Sequence, residues 1–113
     1  MEQATDHIDL EALKELQAVM GEEFSLLIDT FTSDSILRIE GIKAAVASAD
    51  PEAIRRAAHS FKGSAGNMAA IRLTELCRSM EEIGFQGSSD GCAELLVSIE
   101  AEYEQVKTVL ASL

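Results

Sequence analysis

Asp50-Pro51-Glu52-Ala53-Ile54-Arg55-Arg56-Ala57-Ala58-His59-Ser60-Phe61-Lys62-Gly63-Ser64-Ala65-Gly66-Asn67 opens on the clearest helix start in the chain. Asp can cap the exposed amides, Pro suits the first helical position, and Glu52 places negative charge at the positive end of the helix dipole. At about 100° per residue, Ile54, Ala57, Ala58, Phe61, Ala65 and Met68 gather within roughly 40–60° of one direction, which defines the core side. His59 then points roughly 140° away, Gly66 about 120°, Gly63 about 180° and Lys62 about 80°. The imidazole is expected in solvent. Two glycines inside a helix cost about 2 kcal/mol relative to alanine. Close packing would explain glycines facing the core, but these face away from it, so we read Gly63 and Gly66 as keeping the surface beside His59 bare for an approaching protein.

The same periodicity extends outward in both directions. Leu10, Leu13, Leu16 and Met20 form a stripe between Asp9, a candidate cap, and Gly21. Phe24, Leu27, Ile28 and Phe31 form a second, and Ile36, Ile39, Ile42 and Val46 a third. Between them, Thr32-Ser33-Asp34-Ser35 is either a cap separating two helices or an exposed turn of one continuing helix. Beyond the central helix, Leu73, Leu76, Cys77, Met80 and Ile83 predict a helix stopping near Gly84. A loop at Gly87-Ser88-Ser89-Asp90-Gly91 follows, with Ser89 or Asp90 as cap, and then a helix burying Leu95, Leu96, Ile99, Tyr103, Val106 and Leu110. Five or six amphipathic helices in 113 residues, with short connections, predict an all-α fold: an antiparallel four-helix bundle with one or two additional N-terminal helices. The expected organisation is a loose N-terminal segment over 1–8, with His7 at its surface, and one domain over 9–113.

Composition narrows the function. A net charge of −11 repels phosphate backbones and anionic lipid, so neither nucleic acid nor a membrane surface is an expected partner. No apolar run has membrane-spanning length and the N-terminus is not a signal peptide, which points to the cytoplasm. Cys77 and Cys92 lack metal-type spacing and read as buried reduced thiols. With only His7 and His59 as histidines, no metal site and no cofactor are expected. Against the acidic background, Arg55, Arg56, Lys62, Arg72 and Arg78 fall between positions 55 and 78, where Glu75 is the only acid. Lys62, three residues from His59, can reach a group carried on the ring. A neutral imidazole has one unprotonated nitrogen, a nucleophile toward an activated phosphoryl group, and a nearby cation steadies the resulting dianion.

Ala58-His59-Ser60-Phe61-Lys62-Gly63-Ser64-Ala65-Gly66-Asn67-Met68 resembles the signature of the histidine phosphotransfer (HPt) domain, and the likeness extends from about Leu10 to Leu110. The resemblance implies an HPt four-helix bundle in which His59 is phosphorylated by a receiver aspartyl phosphate and returns the group to another. It implies that Lys62 contacts the phosphoryl oxygens, that Gly63 and Gly66 open the approach, and that Ser64 supports local hydrogen bonding, with Arg55 a further supporting residue. Partners would be receiver domains of response regulators and of a hybrid sensor kinase. A monomeric carrier standing alone, with no catalysis of its own, is expected. Many family members place a polar side chain, often Gln, on the following helix near the imidazole; counting back along an antiparallel pair brings Met80 or Glu81 there, Glu81 matching better. A carboxylate could orient the ring's other N–H but would repel a bound phosphoryl group.

Other function classes fit less well. A kinase needs a glycine-rich nucleotide site, which the sequence lacks, and no acid pair is set out for hydrolysis. The alternative is a helical adaptor that binds a receiver or kinase without being phosphorylated, but it does not call for His59, Lys62 and Gly63 together.

Overall fold

The computed structural model describes residues 2–113; Met1 lies outside the described residues. Six helices follow in order: α1 (Ala4–His7), α2 (Leu10–Met20), α3 (Glu23–Ser48), α4 (Pro51–Asn67), α5 (Ile71–Phe85) and α6 (Cys92–Ala111). The last four form the bundle. Each packs on its chain neighbour, and α3 closes the ring against α6, while α2 leans on α3 and α1 on α5 and α6.

The second and third stripes belong to one helix. Thr32-Ser33-Asp34-Ser35 is an interior turn of the 26-residue α3, which settles the choice left open above. Continuity fixes the register: Phe24, Phe31, Ser35, Ile39, Ile42 and Ala45 face the core. Ile36, one residue and about 100° from the buried Ser35, is turned outward and exposed. Tyr103 from α6 packs between Phe31 and Phe61, with ring centroids 6.2 and 6.3 Å away, and its hydroxyl donates to the Thr32 carbonyl at 3.3 Å. Phe61 is fully buried, and this anchor sets the rotation of α4 about its axis. His59, two residues and about 200° earlier, must then face solvent.

Helix ends show where side-chain and backbone capping divide the work. Asp50 Oδ1 accepts from the Glu52 amide at 3.1 Å, and Asp9 Oδ1 from the Ala12 amide at 3.1 Å, as their sequence positions predict. At the start of α6, by contrast, neither Ser89 nor Asp90 lends a side chain. Gly91, at φ 81°, is the capping residue, and the Ser89 carbonyl takes the Cys92 amide. The α4–α5 turn closes with Ala70 N on Ala65 O (3.1 Å) and Ala69 N on Gly66 O (3.0 Å), Ala69 taking the left-handed conformation usually given to glycine.

The N-terminal segment departs from expectation. Residues expected to be loose form α1, and Ile8 is fully buried. His7, expected at the surface, is also buried, with Nδ1 2.7 Å from Oε2 of the buried Glu102. Arg72 pairs with Glu2 at 2.9 Å over this contact, and the Asp9 amide donates to the Ala69 carbonyl at 2.9 Å. The physical reason is pairing: a buried histidine is tolerable where a carboxylate from another helix satisfies it, and Glu102 lies 95 residues away, beyond the reach of local pattern.

Cys77 and Cys92 are buried free thiols. Burial pushes the Cys77 thiol up to about 12, so it stays protonated near neutral pH.

Candidate functional site

Gly84 positions the site, although it had read only as a helix stop. It is buried inside α5, and a Cβ there would come within 2.6 Å of the Pro51 carbonyl oxygen and 2.8 Å of the Arg55 nitrogen. No larger residue lets α5 lie so close on the first turn of α4. One turn back along α5, that approach brings Glu81 against the outward flank of α4.

There Glu81 meets two side chains. Its Oε2 is 2.6 Å from His59 Nδ1, and its Oε1 is 2.6 Å from Lys62 Nζ. The His59 side chain is 64% exposed, whereas Glu81 is only 19% exposed, so the ring stands in solvent on a largely sheltered carboxylate. The Lys62 ammonium holds the Glu81 carboxyl below its ordinary value; partial burial opposes this, and the hydrogen bond from His59 adds to it. An ionised carboxylate can only accept, so the ring proton sits on Nδ1 and, in the neutral imidazole, Nε2 carries the free lone pair.

The residues singled out in the sequence separate into groups. His59, Lys62 and Glu81 are brought together. A Cβ at Gly63 would meet nothing within 4 Å, and one at Gly66 would meet only Thr74 Oγ1 at 4.0 Å. Neither glycine is needed for helix packing. Ser64 lines a groove between α3 and α4, with Leu27, Phe31 and Arg38, but makes no side-chain hydrogen bond among the described residues. The neighbouring hydroxyl does that work: Ser60 Oγ accepts from Arg38 of α3. Arg55 turns to its own helix, donating to Glu52 at 3.0 and 2.5 Å, and does not join His59.

The basic cluster is likewise dispersed. Arg78 pairs with Glu75 at 2.6 Å and Arg72 with Glu2, leaving Lys62 as the member of the five bonded into the His59 site. Arg38 is the cation that sequence reading missed. Its contact spans 22 positions between helices, and the register of α3 was ambiguous at Thr32–Ser35.

The geometry can present a nucleophilic nitrogen to a partner, fix its tautomer and keep a cation alongside. Comparison with known proteins places the fold in a family. The chain is 28% identical over 102 residues to histidine-containing phosphotransfer protein 2 of Arabidopsis thaliana, an alignment covering 87% of this chain and 65% of that protein's length. The crystal structure of histidine-containing phosphotransfer protein B (HptB) from Pseudomonas aeruginosa PAO1 superposes with a TM-score of 0.90 at 36% identity, covering 94% of this chain and 92% of that one. The family model described as Hpt domain matches residues 26–109, from the first turn of α3 to the end of α6, and the chain belongs to that family.

Proposed function

We propose that this protein is a phosphoryl carrier, relaying the group through His59 Nε2 between aspartates of receiver domains in a two-component phosphorelay. The observation that carries the proposal is the exposed His59 ring tied through Nδ1 to Glu81, with Lys62 on the same carboxylate and bare helix at Gly63.

In the forward step, the Nε2 lone pair attacks the phosphorus of an aspartyl phosphate. The N–P bond forms as the P–O bond to the aspartate breaks, and the carboxylate leaves with the electron pair. Glu81 steadies the positive charge that develops on the ring, as a buried acid does for a catalytic imidazole. Lys62 is close enough to turn from Glu81 toward the incoming oxygens, offsetting the repulsion that a carboxylate beside a phosphoryl group would otherwise cause. The return step is the reverse, onto a second receiver. Nothing in it calls for a nucleotide, a metal or a cofactor, and the protein acts as a carrier without kinase activity of its own. Receivers of a hybrid sensor kinase and of a response regulator are the partners, met by a monomer in the cytoplasm.

The test is transfer itself. Incubation with a phosphorylated receiver should give acid-labile, base-stable label on this chain, and His59→Gln should abolish it while helicity is retained. Label persisting in that variant would refute the assignment.

A further inference from the structure

We propose that Phe85 is an apolar anchor by which a receiver domain docks beside His59, an inference that rests on the phosphotransfer reading above. Phe24, Phe31, Phe61 and Tyr103 are buried, whereas Phe85 is 74% exposed at the end of α5. Val19, Leu26, Leu37 and Val97 are exposed as well, but Phe85 is the aromatic ring left in water, and covering it would gain the hydrophobic free energy of its exposed area.

Its position says what covers it. Phe85 is four residues beyond Glu81, so the two side chains share one flank of α5 and lie about 6 Å apart along the axis. Glu81 marks the flank that reaches His59. Gly84, between them, is pressed onto the backbone of Pro51 and Arg55, so the end of α5 that presents Phe85 is held against α4. Any aspartate exchanging a phosphoryl group with Nε2 must come to bonding distance of that nitrogen. Even a small transient interface covers about 600 Å² on each partner, a disc of roughly 14 Å radius. Phe85 falls inside that disc for a partner centred on His59. Aromatic residues, phenylalanine among them, and arginine are enriched at protein interfaces, and Arg78, paired with Glu75, stands on the same flank three residues before Glu81.

The experiment compares wild type, Phe85→Ser and Phe85→Leu with two phosphoryl donors. One is the receiver domain that loads the wild type fastest among those encoded in the source genome, phosphorylated beforehand. The other is phosphoramidate, which needs no docking surface. Phe85→Ser should raise KM for the phosphorylated receiver about tenfold, with kcat changed less than about twofold, and leave phosphoramidate loading unchanged. Phe85→Leu should recover most of the loss. Wild-type KM in Phe85→Ser would overturn the proposal, and so would an equal loss with both donors, which would mean damage to the site. Self-association of the wild type that disappears in Phe85→Ser, with transfer unchanged, would assign the surface to a second copy instead. Wild type that no receiver can label would contradict the phosphotransfer reading, and the anchor with it.

Discussion

Glu81 Oε2 stands 2.6 Å from His59 Nδ1, and this contact between adjacent helices puts the ring proton on Nδ1 and leaves the lone pair of the neutral ring on Nε2. An isolated surface histidine samples both tautomers. Here the carboxylate selects one, and Lys62 holds its other oxygen at 2.6 Å.

Replacing Glu81 with alanine should therefore mix the tautomers. Nitrogen-15 shifts of the imidazole should show Nδ1 protonated in the neutral wild-type ring and both forms in the variant. The loss of one charge-assisted hydrogen bond, about 1.5 kcal/mol, predicts roughly tenfold slower loading from a phosphorylated receiver. Unchanged imidazole shifts would show that Glu81 does not set the tautomer.

The same carboxylate gives a signed pH dependence. Its value in the folded chain lies below the ordinary 4.5, so its stabilising contribution is fully present above that pH and is lost as pH falls through the folded value. Urea unfolding of wild type and Glu81→Gln should show a gap that closes as pH falls below about 4.5. A gap that widens below about 4.5 would mean the shift has the opposite sign.

Two glycines in neighbouring helices should respond to alanine in opposite ways. Gly63→Ala adds a methyl group to open space and removes a flexible residue from a helix interior, so stability should rise by about 1 kcal/mol while transfer from a receiver slows. Gly84→Ala drives a methyl group into the backbone of Pro51 and Arg55 and should cost about 1–3 kcal/mol, loosening the Glu81–His59 contact with it. Thermal melts and transfer rates of the two variants check both halves.

The His7–Glu102 pair is expected to hold α1 down. Glu102→Ala leaves the buried His7 Nδ1 without its partner, although Glu2 stays 3.4 Å from Nε2, and should cost about 1–3 kcal/mol. Hydrogen exchange at the Asp9 amide, bonded to Ala69 in the folded chain, should accelerate. An unchanged exchange rate would show that α1 stays docked without the pair.

Local pattern carried the bundle, because core periodicity and the Asp50-Pro51 cap act over one or two turns. It placed the His59 ring on the solvent side of α4, with Lys62 one turn on, for the same reason, since both belong to one helix whose buried face is easily read. Glu81 was reachable only by counting along an antiparallel pair. Arg38 on Ser60 and Glu102 on His7 were not legible, since long-range partners depend on how helices rotate against one another. Gly84 failed differently: glycine signals both a helix end and a close approach, and the distinction rests on the backbone of another helix.

The most direct test is a phosphorus-31 spectrum of the chain, uniformly labelled with nitrogen-15 and loaded by a phosphorylated receiver. The account predicts one phosphoramidate resonance coupled to Nε2 of His59, absent from His59→Gln. Coupling to Nδ1, a resonance at any other residue, or no resonance from a receiver that is itself fully phosphorylated would contradict it.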